Sequence, residues 1–245
     1  MSRNTATSIL VYDPETGRSW YLDTSDLRPE ALTLGQLSHG LAAINRFGGY
    51  TVRPITVAEH SLRVGRFARA LTSRSCGDAF RSLPADAFAE RAEAAARAAL
   101  MPVVAELAGQ IHDTPECITG RGDVLRPAKT DADRESEARA YAVVVDHIVS
   151  RMWDPGLSQS IAEKRGKDTR DLLASVAEIV HQADNLALYY ESMLWQPVAE
   201  DWAPKVITDP MPDLLLPLVW PRPREDWAAE VRSTCAEICA AVRAL

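Results

Sequence analysis

The passage from Val103 to Glu116 constrains this chain most. There the apolar run Val103-Val104-Ala105-Glu106-Leu107-Ala108 leads into Gly109-Gln110-Ile111-His112-Asp113-Thr114-Pro115-Glu116. Val, Leu and Ala at this spacing read as a helix entering a core. Pro115 disfavours helical geometry at Thr114, so the helix has to stop there. His112 and Asp113 then sit at the C-terminal end of a core helix, half-buried, facing whatever packs above. An imidazole nitrogen and a carboxylate oxygen from consecutive residues suit a divalent metal engaged in hydrolysis. A His-Asp pair is common, so its meaning depends on what other segments bring to it.

Upstream, Ile9-Leu10-Val11-Tyr12 and Ser19-Trp20-Tyr21-Leu22 flank a Pro/Gly turn and predict a small β-hairpin. Thr33 caps a predicted helix with Leu34, Leu37, Leu41 and Ile44 on one face, ending at Arg46 before Gly48-Gly49. Thr56 caps a second, whose shared face carries Val57, His60, Val64, Phe67 and Leu71. A histidine on such a face is either a hydrogen-bonded core residue or a ligand. Pro84 opens an Ala-rich helix over 85–100 with the charge pattern of a solvated outer element, and Pro102 opens the helix that ends at His112-Asp113.

Gly, Pro and mixed charges make 117–129 a loop. Two long helices are predicted over 131–152 and 168–195. In the second, Leu173, Val176, Val180, Asp184, Ala187 and Tyr190 keep helical spacing, which sets a carboxylate inside an apolar stripe. A buried carboxylate needs a partner, either a metal or a buried Arg or His. Seven of the fifteen prolines fall between 197 and 223, a composition that suggests an extended strap, and 226–245 closes the chain as a helix. The expected fold is therefore all-α, a helical bundle with a small N-terminal β-hairpin and a Pro-rich C-terminal strap ending in a helix. The 245 residues form one domain: a hairpin appendage (1–32), the core (33–196), and the strap with its helix (197–245).

A net charge of −7 argues against a nucleic-acid polymer as partner, while leaving room for a local basic pocket. Cys76, Cys117, Cys235 and Cys239 have no zinc-ribbon spacing. With no apolar leader and no run long enough to span a bilayer, a soluble, cytoplasmic protein is expected.

His60, His112-Asp113 and Asp184 thus fall on the inner faces of three predicted helices, in the order H…HD…D. This resembles the metal site of the HD superfamily of phosphohydrolases. Glu116 completes HDxxE, and Gly122-Asp123 with Pro127 and Lys129 resembles the GD-x-x-x-P-x-K loop that follows it. Asn45-Arg46-Phe47-Gly48-Gly49 and Val57-Ala58-Glu59-His60-Ser61 resemble segments of bacterial 5′-deoxynucleotidases and of phage-type HD proteins that hydrolyse dATP. The likeness covers roughly 34–194. Relative to the deoxynucleotidase pattern, Arg121-Gly122 lengthens the loop before Asp123, and Cys117 stands where stringent-response hydrolases carry Asp.

The resemblance implies His60, His112, Asp113 and Asp184 as ligands of a divalent ion (Co²⁺, Mn²⁺, Mg²⁺, Zn²⁺ or Fe²⁺), with metal-activated water attacking phosphorus. Glu116 would shuttle the proton to the leaving oxygen and Arg46 would grip phosphate. Lys129 would add positive charge, and Phe47 or Trp20 would stack on base or sugar. Asp123 would read a sugar hydroxyl or orient Glu116. His181, three residues before Asp184, would touch phosphate, bind metal, support the site from behind or only pack, while His39 and His147 read as structural. The implied substrate is a deoxynucleotide, cut as a monophosphate or as a triphosphate. The core motif is silent between these, and Arg53, Arg63, Arg121, Arg126 and Lys129 are candidate contacts for further phosphates. Arg46-Phe47-Gly48-Gly49 is closer to the dATP-hydrolysing relatives, which points to a dNTP. The alternative is a catalytically silent HD module that binds a nucleotide and regulates a partner. A homo-oligomer is expected in either case.

Overall fold

The computed structural model describes residues 8–49, 51, 53–119, 129–153, 159–195 and 226–244. It is mostly helical, with one small antiparallel hairpin. Ser8–Asp13 (β1) pairs with Arg18–Asp23 (β2), setting Ile9 opposite Leu22 and Val11 opposite Trp20. Asp13 ties the turn: its carbonyl accepts from Gly17 N at 2.8 Å and its carboxylate from Glu15 N at 2.9 Å. Gly17 has φ +67°, a conformation that costs glycine nothing. Val11 and Leu22 point into the same core as the helices, so the hairpin is part of the main packing unit.

The helices are α1 (Leu34–Ala43), α2 (Val57–Ser82), α3 (Phe88–Ile111), α4 (Thr114–Thr119), α5 (Asp131–Met152), α6 (Gln159–Ser175), α7 (Ala177–Trp195) and α8 (Trp227–Ala244). The expected caps are present. Thr33 accepts from Gln36 N, and Thr56 forms a reciprocal capping box with Glu59, as Thr130 does with Asp133. Asp226 Oδ1 receives Ala228 N at 3.0 Å at the start of α8.

Besides the start of α3, at Phe88 instead of the expected 85, four boundaries differ from the sequence expectation. First, α1 stops at Ala43 because the chain turns extended at Ile44. Arg46 N bonds Ile55 O at 2.8 Å and Val57 N bonds Ile44 O at 3.0 Å, closing a short excursion that holds the 3-10 turn Arg46–Gly49. Second, the two helices expected to meet at Pro102 are one. A mid-helix proline costs about 3 kcal/mol, yet Leu100 and every residue from Pro102 to Ile111 are buried, and that packing outweighs the lost bond. Third, Cys117–Thr119 continue α4 and are not loop. Fourth, the helix expected over 168–195 divides at Val176 and begins earlier, at Gln159. Ser175 Oγ bonds back to Leu172 O at 2.7 Å, and Val176 starts α7 by accepting from Val180 N at 3.0 Å.

The bundle is built on α2 and α3, which cross where Gly65 meets Gly109. A Cβ on Gly109 would lie 2.7 Å from Gly65 Cα. On α8, the indole of Trp227 is 1% exposed and donates to Gln110 O at 2.7 Å, fastening the end of α3 just before His112. Arg69 on α2 bridges Glu106 on α3 at 2.5 Å and Glu237 on α8 at 3.1 Å. Among the described residues no helix is long and apolar enough to cross a membrane. The Pro-rich strap expected over 197–223 lies outside the described residues.

Candidate metal centre

α2 supplies His60, the α3–α4 junction supplies His112 and Asp113, and α7 supplies Asp184. His60 Nε2 stands 3.1 Å from Asp184 Oδ1 and 3.5 Å from Asp113 Oδ2. His112 Nε2 stands 3.2 Å from Asp113 Oδ1 and 3.9 Å from Asp184 Oδ1. One ligand atom from each of His60, His112 and Asp184 falls within 4.8 Å of the others, and this trio could hold a metal ion. Ligands about 2.1 Å from a shared ion are themselves roughly 3–3.5 Å apart, close to the distances found. Asp113 borders the trio through both carboxylate oxygens.

Each imidazole is oriented from behind. His112 Nδ1 donates to Gly109 O at 2.7 Å, and its buried Nε2 makes no well-aligned hydrogen bond among the described residues. His60 Nδ1 donates to Glu191 Oε1 at 3.0 Å. Both rings thereby aim Nε2 at the carboxylates: in metal-free protein Nε2 carries a proton toward them, as His60 does to Asp184 Oδ1 at 3.1 Å, and a metal would take that proton's place. The residues present fit a divalent cation.

Glu191 is the member that sequence reasoning missed. It is fully buried on α7, receives Arg63 Nη1, and lies 3.3 Å from Arg46 Nε. Asp184, seven residues earlier, marks the same helical face, so the period alone could have flagged it. Glu191→Gln keeps an acceptor for His60 but removes its charge. Metal affinity is expected to fall 10- to 100-fold, the usual worth of such a supporting carboxylate. Competition against a chelator measures this, and unchanged affinity would assign Glu191 to Arg63 and Arg46 alone.

The cluster is electrostatically tight. Burial opposes the charged form of every member, and the neighbours overcome it. Asp113 and Asp184 raise His112 to about 10, while His60, Arg46 and Arg63 hold Glu191 down at about 2. The imidazoles hold Asp113 and Asp184 well below the usual carboxylate range. In metal-free protein His112 then contributes stability that is complete below 6.5 and lost as pH rises toward 10. Glu191 contributes stability that is present above 4.5 and lost as pH falls toward 2. The melting temperature in EDTA is expected to peak between pH 4.5 and 6.5 and to decline on both sides, as scanning calorimetry would show. A melting temperature that climbs steadily from pH 6.5 to 10 would contradict the charged state of His112.

Beside the cluster lies a cavity of about 280 Å³ whose walls include His112, Asp113, Glu116, Lys129, Arg134 and Tyr141. Glu116 is 4% exposed, and Lys129 Nζ stands 3.8 Å from its Oε1 and 2.9 Å from Glu137 Oε1. A second, larger hollow of about 590 Å³ shares His112 and Tyr141 with the first and is lined by Ala108, Val145, Leu173 and Val180.

Arg46 is 8% exposed and its Nη1 lies 3.4 Å from Asp113 Oδ2, so it is already engaged with the cluster. Phe47 is buried beneath it, 5.5 Å from ring centre to guanidinium, at φ +55°. A bulky residue in that conformation costs about 1–3 kcal/mol, and the ring backs Arg46 from within the core. Trp20 is half-buried on the hairpin, opposite Val11. His181 is exposed and meets Asn185 Nδ2 at 3.3 Å, one turn along its own helix. His39 packs edge-on against Tyr12, and His147 donates to Pro29 O at 2.6 Å. Two candidate phosphate contacts are committed elsewhere: Arg63 to Glu191, and Arg53 to Glu59 at 3.2 Å. Arg134 joins the cavity wall, a residue the sequence did not single out. Asp123, Arg121 and Arg126 lie outside the described residues.

Comparison of the chain with protein-family models gives no match, and comparison with curated proteins gives none either.

Proposed function

We propose that this protein is a metal-dependent hydrolase of a deoxynucleotide phosphoester, built on the HD arrangement that its motifs resemble. The observation that carries the reading is the meeting of His60, His112, Asp113 and Asp184 beside a cavity walled by Glu116 and Lys129. His60, His112 and Asp184, with Asp113 beside them, would hold the ion. When bound, a divalent cation supplies Lewis acidity toward a phosphoryl oxygen and toward water.

The protein's own groups do the rest. Lys129 and Arg134 bring positive charge to the cavity that would receive the phosphate. Arg46, held by Asp113 and Glu191, keeps a guanidinium at the edge of the cluster. Glu116, buried on the wall of that cavity, would carry a proton from water to the leaving oxygen. The apolar hollow that shares His112 and Tyr141 would take the nucleoside. Among the described residues Arg53 and Arg63 do not line this cavity, and the two cations that do, Lys129 beside Glu137 and Arg134 beside Asp131, suit one phosphate group better than three. This moves the reading away from a dNTP and toward a 5′-monophosphate.

Purified protein incubated with Co²⁺, Mn²⁺ or Mg²⁺ and a panel of dNMPs, NMPs and dNTPs, its products separated by anion exchange, tests the proposal. Deoxynucleoside plus phosphate from dNMPs is expected. Release of triphosphate from dATP would restore the dNTP reading. Nucleotide binding without turnover under all three metals would overturn the enzyme and leave the silent regulatory module.

Glu116→Ala is expected to keep metal and nucleotide binding while losing roughly 10²–10⁴-fold in rate. Near-parental turnover in that variant would remove Glu116 from proton transfer.

A further inference from the structure

Between α1, α5 and α8 lies a separate cavity of about 350 Å³. Its walls are mostly apolar, with Leu34 from α1, Ile148 and Met152 from α5 and Ala236 from α8, and include the His147 imidazole and the thiols of Cys235 and Cys239. Its lining also carries three guanidinium groups, Arg151 from α5 and Arg232 and Arg243 from α8. No carboxylate lines it among the described residues, although the chain holds 34 acidic residues against 27 basic ones. Arg232 reaches Glu15 of the hairpin at 3.1 Å, on the exposed side. Arg151 Nη1 lies 2.8 Å from His147 Nδ1 and donates to His147 O at 3.2 Å, and neither Arg151 nor Arg243 forms an ion pair among the described residues.

Arg151 and Arg243 thus bring positive charge that no carboxylate offsets among the described residues to one largely apolar hollow, beside Arg232 paired with Glu15. They match a ligand with a multiply charged anionic head and an apolar body. Guanidinium forks suit phosphate oxygens in paired hydrogen bonds, and the volume lies within the range of small-molecule sites.

We propose that this cavity binds an organic phosphate monoester, the phosphate among Arg151, Arg232 and Arg243 and the apolar body against Leu34, Ile148 and Met152. The site is distinct from the metal centre and independent of the function proposed for it. Tyr141 at the metal-side cavity and Arg151 here lie on the same helix, about 15 Å apart along its axis.

Phenylphosphonate, whose P–C bond resists phosphoester hydrolysis, is the probe, titrated calorimetrically into the full chain in EDTA. One site per chain is expected, binding more tightly than inorganic phosphate. The double variant Arg151→Ala/Arg243→Ala should weaken it at least tenfold, and Asp113→Ala should leave it unchanged. Ala236→Trp, an enlargement at an exposed position, should block phenylphosphonate by filling the hollow while sparing inorganic phosphate. These substitutions at the cavity replace exposed residues, so the fold is retained and circular dichroism verifies it. Absence of binding, full affinity in the double arginine variant or in Ala236→Trp, or loss of binding in Asp113→Ala would each overturn the proposal.

Discussion

Asp113→Ala is expected to empty the protein of bound metal and to abolish phosphoester turnover. The two oxygens of Asp113 face different partners, Oδ1 toward His112 Nε2 at 3.2 Å and Oδ2 toward His60 Nε2 at 3.5 Å and Arg46 Nη1 at 3.4 Å. Among the described residues, removing it leaves Asp184 as the one carboxylate facing the Nε2 atoms of both imidazoles, with buried Arg46 still present and left to Glu191. A divalent ion placed there would carry surplus positive charge in a partly buried site, where such charge is costly. Elemental analysis of the purified variant measures the outcome, with Asp184→Ala in parallel. Loss of metal in both places Asp113 among the ligands. Full occupancy in Asp113→Ala with loss in Asp184→Ala would confine the ligands to His60, His112 and Asp184, and reduce Asp113 to an anchor for Arg46.

The second large effect is structural. Gly109→Ala is expected to lower the melting temperature by roughly 6–12 °C, taking about 3 kcal/mol for overpacking at a helix crossing and about 2–4 °C per kcal/mol for a chain of this size. The new Cβ would meet Gly65 Cα at 2.7 Å, Gly65 N at 2.8 Å and Val64 C at 3.0 Å. All three are backbone atoms, so no side chain can swing aside and α2 must move away from α3. Helix propensity alone predicts the opposite, a gain of up to about 1 kcal/mol on replacing a mid-helix glycine. The sign of the change therefore decides between the two effects. Because α2 carries His60 and the end of α3 carries His112, separation of the helices should weaken metal binding as well. A melting temperature unchanged or raised would show that the crossing has slack.

Local chemistry writes itself plainly into this sequence. Thr33 and Thr56 announce helix starts through side-chain caps, and Asp-Thr-Pro at 113–115 announces a break, which the structure places at His112-Asp113 with Thr114 itself opening α4. Hydrophobic period 3.6 sets His60 and Asp184 on inward faces, since that depends only on neighbours three and four residues away. Residue type and face marked two imidazoles and two carboxylates as inward-facing, and the resemblance to the HD pattern nominated them as one set, whose members the fold brings to within 4 Å of a partner. Where two local signals conflicted, tertiary packing chose. Pro102 reads as a helix start, but the burial of 102–111 against α2 and α8 carries α3 straight through it.

What the sequence alone left open depends on pairs far apart along the chain. Glu191 reads only as an acid on the helical face of Asp184 until the fold sets it 3.0 Å from His60 Nδ1, 131 positions away. Arg63 reads as a spare phosphate contact until Glu191 claims it. Gly65 and Gly109 read as helix-weakening residues until the two backbones touch. In each case the deciding quantity is the register of one helix against another. Register is fixed by the summed packing of whole faces, which no short window of sequence contains.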